Sequence, residues 1–150
     1  KAARSPFGRT IQYVQGNAEQ ITCPDASFDA AMVGFGIRNL THFEVGFREM
    51  HRVLKPGGRF LCLEFSQPPA PWFRSLYDFY SFRVMPLVGE LLAGNRQGYT
   101  YLPESIRKFP GPQELSGLLV DLGFEQVRYR SFTGGIAVAH LGVKRGKPRL

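Results

Sequence analysis

The feature that most constrains the fold is a strand–helix–strand pattern across residues 28–65. The run FDAAMVGF at 28–35 has the composition of a strand buried on both faces. Between 43 and 54, apolar residues recur at steps of four, three and four and form one helical stripe: Phe43, Phe47, Met50 and Leu54. The run RFLCLEF at 59–65 then reads as a further buried strand. Short links in this order imply a parallel crossover, so the predicted class is α/β.

The helix of this unit carries signals for both of its ends. Thr41 followed by Glu44 has capping-box spacing, which predicts a helix start at Thr41. The sequence KPGG at 55–58 predicts the stop, because Pro56 cannot continue a helix and the glycines turn the chain.

Further elements are predicted on both sides of this unit. IQYVQG at 11–16 reads as a short strand, and residues 112–122 as a helix with four leucines on one face and Gly123 just beyond. Residues 124–132 alternate like a strand, TGG turns the chain, and residues 136–144 can pair back. We therefore expect a mostly parallel sheet that ends in a C-terminal antiparallel hairpin.

The segment 71–109 differs from the rest in its density of aromatic residues, which are Trp72, Phe73, Tyr77, Phe79, Tyr80, Phe82, Tyr99, Tyr101 and Phe109. It has mixed helical signals and several prolines and glycines. One interpretation is a helical cover over the sheet edge. The other is a lid or apolar pocket for a hydrophobic substrate, and both can hold together.

Composition narrows the class of protein only in part. A length of 150 residues fits one domain, and a formal charge of +7 suits an anionic ligand, an acidic lipid surface or nucleic acid equally. The basic tail at 144–150 is interpreted as solvated. Cys23 and Cys62 lie in no CxxC pair and no metal-ligand spacing, so we expect two free thiols, no metal site, and a reducing, cytoplasm-like compartment.

No secretory signal is predicted at the beginning of the chain, where KAARSPFGRT is basic but leads into no apolar region. The longest apolar patch, VMPLVGELLAG, is shorter than the roughly 20 residues that a membrane-spanning helix needs. We expect a protein that is soluble or peripheral to a membrane.

Ligands of open α/β sheets bind beyond the carboxyl ends of the strands. Three such ends are visible, GNAE, GFGIRN and EFS, and we expect them to converge on one crevice. Asn17 and the N–H of Ala18 suit a heteroaromatic edge, although Asn17 in an Asx-turn is an equal alternative. Gly34 permits close approach of a ligand, and a simple tight turn is the alternative. Neither GxGxxG nor GxxxxGK[ST] occurs.

Polar residues directly after the second strand end are the candidates for chemistry. Arg38 and Asn39 either face a ligand or, in the case of Arg38, form an ion pair. Glu64 has the same two alternatives, a crevice position or a structural ion pair. His42 and His140 are spare proton acceptors, although a histidine on an apolar strand is more often a core residue.

Several stretches together resemble the UbiE/Coq5 family, the C-methyltransferases of ubiquinone and menaquinone biosynthesis. They are GNAEQITCPDASFDAAMVGFGIRN, REMHRVLKPGGRFLCLEFS, LYDFYSFRVMP, YLPESIRKFP and TGGIAVAHLGVK, in that order. RVLKPGG is common among S-adenosylmethionine-dependent methyltransferases, whereas FGIRN with LEFS and YDFYSF is far more specific.

The resemblance implies a class I, Rossmann-like methyltransferase fold. It also implies a reaction in which S-adenosylmethionine methylates a ring carbon of a polyprenylated quinol, either demethylmenaquinol or 2-polyprenyl-6-methoxy-1,4-benzoquinol. Asn17 and Ala18 match the adenine-side contact, and Gly34 matches a cofactor contact where many relatives have serine. Arg38 would stabilise the phenolate that activates the ring, and Asn39 would orient the hydroxyl or a water.

By the same resemblance, the chain corresponds to the C-terminal part of one methyltransferase domain over residues 1–150. The family's first two strands, Gly-rich turn and ribose-binding acid have no counterpart in it. FDAAMVG should therefore have an open edge, and we predict that the chain pairs with a second copy there or binds cofactor poorly. Two alternatives remain: a non-catalytic binding or assembly module, and a nucleic-acid methyltransferase, for which no NPPY-type motif is present.

The expected partner is a lipophilic quinol, whose isoprenoid tail would lie in the aromatic segment. We also expect the positive charge of the chain to attract anionic lipid weakly. No nucleic-acid partner is expected. The expected location is the cytoplasm, at the inner face of a membrane where contact occurs, or the mitochondrial matrix in a eukaryote.

Overall fold

The computed structural model describes residues 11–84 and 96–146. In this part the strands are β1 (Phe28–Gly34), β2 (Leu54–Phe65), β3 (Phe124–Phe132) and β4 (Ala137–Lys144). The α-helices are α1 (Phe43–Val53), α2 (Pro71–Phe79), α3 (Arg96–Lys108) and α4 (Pro112–Asp121). A π-helical turn, Tyr80–Val84, follows α2.

The strands form one sheet in the spatial order β1-β2-β4-β3. β1 and β2, joined through α1, are parallel, and their register places Gly34 beside Leu63. β4 pairs antiparallel with both β2 and β3. The α/β class and the antiparallel C-terminal hairpin are therefore confirmed, as is the helix predicted at 112–122, which ends one residue earlier. Among the described strands the sheet is mixed and not mostly parallel, because only the pairing of β1 with β2 is parallel.

The core lies between the sheet and the helices α1 and α4. Phe47 of α1 packs edge-on against Phe60 of β2, with ring centroids 5.8 Å apart, and Phe60 stacks on Phe124 of β3 at 5.0 Å. Leu115 and Leu119 of α4 complete this buried cluster. Each large side chain buried here stabilises the fold by roughly 1.5–3 kcal/mol, so this layer holds the strand ends in place.

The predicted start of α1 at Thr41 is wrong. The N-cap residue is His42, and the carboxylate of Glu19, from the preceding loop, accepts a hydrogen bond from the His42 N–H at 2.8 Å. A distant carboxylate thus supplies the acceptor that a capping box would have supplied locally. At the other end the helix stops at Val53, just ahead of KPGG, which belongs to the first part of β2.

The strand predicted at 11–16 does not form. These residues are irregular and exposed, and the neighbouring Asn17 and Gln20 make only an isolated bridge. A strand needs a neighbour for its backbone groups, and no described strand lies beside these residues.

The interpretation of β1 as a strand buried on both faces is wrong, whereas its predicted open edge is confirmed. Within the described residues β1 pairs only with β2, and Met32 is 75% exposed.

Parts of two predictions fall outside the described residues: positions 85–95 of the aromatic segment and positions 147–150 of the basic tail. Within the described part of the chain, no helix has the length and apolar character needed to cross a membrane.

Candidate functional site

The carboxyl ends of β1 and β2 meet at one edge of the sheet. Phe35, directly after β1, donates its N–H to Leu63 O at 2.8 Å, and its ring lies 4.5 Å from that of Phe65. The chain then makes a short 3₁₀ turn, Ile37–Asn39, in which Ile37 is buried. Burial of Ile37 anchors the turn, so the next two side chains are held over the end of β2.

Arg38 and Glu64 form a buried ion pair across these strand ends. Arg38 Nη1 lies 2.5 Å from Glu64 Oε1, and the two side chains are 7% and 3% exposed. The backbone N–H of Arg38 also points to Glu64 Oε2 at 3.5 Å, and Arg38 Nε donates to Ser105 Oγ at 3.3 Å. The Phe65 ring lies 5.4 Å from the guanidinium carbon. Contacts with Glu64, Ser105 and the Phe65 ring together fix the orientation of the guanidinium.

The guanidinium of Arg38 borders a cavity of about 310 Å³ between the turn, α1 and α3. Its other lining residues are Leu40, Thr41, Phe43, Tyr101, Glu104, Ser105, Lys108 and Phe109. Among the residues that the structure describes, none accepts a hydrogen bond from Arg38 Nη2. A guanidinium with a spare N–H group beside a cavity can bind an oxyanion.

Asn39 contacts Tyr101, one of the residues that line the same cavity. Its Oδ1 accepts a hydrogen bond from the hydroxyl of Tyr101, on α3, at 3.1 Å, and both side chains are exposed. The contact ties the turn to the helix that covers it. The two predicted catalytic residues are therefore brought together, each with a partner that the sequence did not indicate.

The predicted cofactor residues lie at the same end of the sheet. Asn17 Oδ1 accepts a hydrogen bond from the Glu19 N–H at 2.9 Å, which is the Asx-turn alternative. The Asn17 side-chain NH₂ is engaged by no described acceptor, and it stays available as a donor. At Gly34 an added Cβ would meet nothing within 4 Å, so that strand end is open to a ligand. A spare amide donor and an open strand end are thus the two features that these residues present at this edge.

The backbone of Ala18 lies beside the first turn of α1. A Cβ on Gly46 would lie 2.5 Å from Leu40 Cδ1, so the missing side chain of Gly46 lets Leu40 pack closely on this turn. The same Cβ would lie 3.8 Å from Ala18 O, which is an ordinary van der Waals separation. The predicted convergence is therefore confirmed for GFGIRN and EFS, at the ends of β1 and β2, whereas GNAE lies beside them in a loop, because the strand predicted before it does not form.

The spare candidates for a proton acceptor do not belong to this site. His42 is the exposed N-cap residue of α1. His140 is buried, its Nε2 donates to Pro112 O at 3.0 Å, and burial lowers its pKa. Burial likewise raises the pKa of the Cys62 thiol to about 12, so it is not a nucleophile. Among the described residues no group of three acidic, histidine or cysteine side chains could hold a metal ion.

Sequence reasoning left Glu64 undecided and missed Ser105. Glu64 is 26 residues from Arg38 along the chain, and Ser105 is 67 residues away. The available signal was the position of Glu64 at the carboxyl end of the neighbouring strand. No comparable signal marked Ser105.

The sheet and its helices define the class of protein. A SAM-dependent methyltransferase from Thermotoga maritima superimposes with a TM-score of 0.63 at 19% identity, over 93% of this chain and 68% of that protein. At this level of identity the likeness shows a class I, Rossmann-like methyltransferase fold.

The family model described as the ubiE/COQ5 methyltransferase family matches residues 1–144, and the chain belongs to this family. A mitochondrial 2-methoxy-6-polyprenyl-1,4-benzoquinol methylase from Dictyostelium discoideum is 52% identical over 135 residues, which cover 90% of this chain and 43% of that protein. A ubiquinone/menaquinone biosynthesis C-methyltransferase UbiE from Brucella anthropi is 46% identical over 144 residues, which cover 96% of this chain and 55% of that protein. Family and fold together imply the use of S-adenosylmethionine.

The chain spans about half the length of the curated relatives that it matches, between 41% and 55%. The matched residues 1–144 include the turn Ile37–Asn39, the residues that line the cavity, and α3.

Proposed function

We propose that the whole protein transfers a methyl group from S-adenosylmethionine to a ring carbon of a polyprenylated quinol. The observation that carries this proposal is the family match over residues 1–144, together with a buried, oriented guanidinium that borders a cavity at the strand ends. The relatives indicate the substrate class, because one is a methylase of a polyprenyl benzoquinol and another a C-methyltransferase of ubiquinone and menaquinone biosynthesis.

S-adenosylmethionine, when bound, supplies an electrophilic methyl group. The ring carbon can attack that group only when an adjacent oxygen is ionised, because the phenolate raises the electron density of the ring. Arg38 would bind this oxygen through Nη2 while Glu64 and Ser105 hold Nη1 and Nε. A fixed positive charge lowers the pKa of a bound phenol and stabilises its oxyanion.

Asn39 would orient the quinol hydroxyl or a water that takes its proton. Its Oδ1 already accepts a hydrogen bond from Tyr101, so the amide group is fixed in direction and its NH₂ points elsewhere. The aromatic rings of Phe43 and Phe109, with centroids 5.3 Å apart, would give the cavity an apolar wall for the quinol ring.

On the cofactor side, Asn17, Ala18 and Gly34 would hold the adenosyl group. The Asn17 NH₂ and the Ala18 N–H are donors in the loop beside α1, and Gly34 leaves the end of β1 open. These three assignments rest on the family match and on this placement.

The experiment is an assay of the whole protein with methyl-labelled S-adenosylmethionine and two acceptors, demethylmenaquinol and 2-polyprenyl-6-methoxy-1,4-benzoquinol. The proposal expects label in the ring of at least one extracted quinol. Cofactor binding by calorimetry with no transfer to either acceptor would contradict the proposal and favour a non-catalytic module. Transfer to RNA or DNA instead would also contradict it.

A further inference from the structure

Helix α2 carries an apolar stripe that faces solvent. Its members are Trp72, Leu76, Phe79 and, in the turn that follows, Tyr80, which are 74%, 57%, 62% and 50% exposed. Their spacing of four, three and one places them on one face of a helix. A contiguous exposed stripe of four large apolar side chains marks an interaction surface.

The opposite face of α2 is fixed against the protein. A Cβ on Gly134 would lie 2.6 Å from the ring of Phe73, so this ring rests directly on the backbone of the turn between β3 and β4. Asp78 forms an ion pair with Arg107 of α3 at 2.9 Å. These two contacts hold the helix from both sides, and the stripe therefore points outward.

Helix α2 is linked to the candidate site through α3. Asp78 of α2 pairs with Arg107 of α3, and α3 supplies Tyr101, Glu104, Ser105 and Lys108 to the lining of the Arg38 cavity. The helix that carries the stripe is therefore packed against the helix that covers the cavity.

The surroundings of the stripe are basic. Arg74 on α2, Arg83 in the turn that follows, and Arg107 and Lys108 at the end of α3 are exposed. The guanidinium of Arg107 also lies 4.2 Å above the ring of Phe82. The acids nearby are Asp78, which Arg107 neutralises, and Glu104. An apolar stripe bordered by cations suits a surface that is apolar inside and anionic at its boundary.

We propose that α2 docks on a lipid bilayer with anionic headgroups and inserts the stripe formed by Trp72, Leu76, Phe79 and Tyr80. This inference rests on the proposed function, since a polyprenylated substrate is dissolved in the bilayer and has to reach the Arg38 cavity from it. Indole and phenol side chains favour the boundary between headgroups and acyl chains. A second copy of the same basic surface would be repelled, whereas an anionic bilayer attracts it.

The chain contains one tryptophan, Trp72, so its fluorescence reports on the stripe alone. The 150-residue chain is mixed with vesicles of phosphatidylcholine, with or without 30% phosphatidylglycerol, and with vesicles that contain brominated acyl chains. We expect a blue shift of Trp72 emission, quenching by the bromines, and at least tenfold stronger binding to the anionic vesicles, with binding that weakens as salt increases.

One double variant and one control separate the stripe from the rest of the surface. Leu76→Ser with Phe79→Ser removes apolar area without adding charge, and we expect at least a tenfold loss of vesicle binding. Val120→Ser, an exposed apolar position on α4, is the matched control and should bind like the parent chain. Circular dichroism checks that all three chains fold.

Three outcomes would overturn the inference. The first is vesicle binding without bromine quenching of Trp72, which would show that another surface binds. The second is binding that the double serine variant retains in full. The third is a blue shift that depends on protein concentration and not on vesicles, which would identify a second copy as the occupant.

An activity assay of the whole protein distinguishes failure of this inference from failure of the proposed function. Leu76→Ser with Phe79→Ser should leave methylation of a short-tailed, water-soluble quinol unchanged and lower by at least tenfold the methylation of a long-tailed quinol in vesicles. If the parent protein methylates neither substrate, the proposed function is contradicted. Equal activity of parent and variant on both contradicts only the membrane inference.

Discussion

Arg38 and Glu64 meet as a buried ion pair at the ends of two parallel strands, with Nη1 and Oε1 2.5 Å apart. The parallel register places Gly34 beside Leu63, so the turn after β1 lies over the last residues of β2. Placing Arg38 in that turn and Glu64 at the end of β2 brings them into contact. The pair therefore belongs both to the stability of the fold and to the candidate site.

Glu64→Ala should destabilise the protein by about 3–5 kcal/mol, because it leaves the Arg38 charge buried without a partner. Replacing both residues, with Arg38→Met and Glu64→Leu, should recover most of this loss, since no buried charge remains. Urea unfolding followed by circular dichroism measures both effects. Asp29→Asn, which breaks the exposed pair with Lys55, is the control and should change stability little. A Glu64→Ala loss no larger than the control would contradict the assignment.

Gly123 and Gly117 should respond to alanine in opposite directions. Gly123 follows α4 with φ +96°, and a Cβ there would lie 3.2 Å from His51 Nε2. Gly123→Ala should therefore cost about 1–2 kcal/mol. Gly117 lies inside α4 with open space around it, and Gly117→Ala should stabilise by about 0.5–1 kcal/mol. Thermal or urea unfolding of Gly123→Ala and Gly117→Ala measures both changes in stability. Equal changes of the same sign would contradict the prediction.

Acid should destabilise the protein through His140, which is buried, and His51, which is half-buried. Burial lowers the pKa of His140 and of His51, so protons bind the unfolded chain more readily than the folded one. Above the unfolded-state pKa of about 6.5, the two neutral histidines contribute fully to the free energy of unfolding. This contribution falls as the pH drops below that value, and it stops falling below the pKa values of the folded state. Unfolding free energies between pH 8 and pH 5 should show a shallower decline after His140→Gln, and shallower still after His51→Gln is added. An unchanged decline in the double variant would contradict this origin.

The open edge of β1 should make the 150-residue chain associate. Met32 and Phe28 are exposed on this edge strand, and its outer backbone groups are unpaired within the described residues. Sedimentation velocity at increasing concentration should show dimers, which Met32→Lys reduces and the control Val120→Lys does not. Calorimetry of the same chain should show weak binding of S-adenosylmethionine. Tight cofactor binding by a monodisperse monomer would contradict this prediction.

The sequence predicted those elements whose signals are local. Helix α4 and the hairpin of β3 and β4 follow from a leucine face, a glycine stop and two alternating runs. The prediction of a strand at 11–16 failed because a strand requires a neighbouring strand for its backbone hydrogen bonds, and no local sequence pattern reveals whether that neighbour is present. The predicted start of α1 failed for a similar reason, since the backbone N–H of its N-cap residue His42 donates to the side-chain carboxylate of Glu19, which lies in another loop.

The candidate site was predictable in position but not in its contacts. Parallel strands bring their carboxyl ends together, so the sequence could place Arg38, Gly34 and Glu64 at one edge. It could not choose between a crevice and an ion pair for Glu64, because that choice depends on the register of two strands. Tyr101 and Ser105 come from α3, whose position over the turn Ile37–Asn39 depends on tertiary packing.

The most direct test of the proposed function is the pH dependence of methyl transfer by the Arg38→Ala variant of the whole protein. Loss of a fixed donor to a developing oxyanion should lower kcat about 100- to 1000-fold at neutral pH. The deficit should shrink as the pH rises toward the phenol pKa of about 10, where the substrate ionises unaided. Arg38→Lys should retain intermediate activity. Full activity of Arg38→Ala at neutral pH, in a variant that folds, would contradict the role assigned to Arg38.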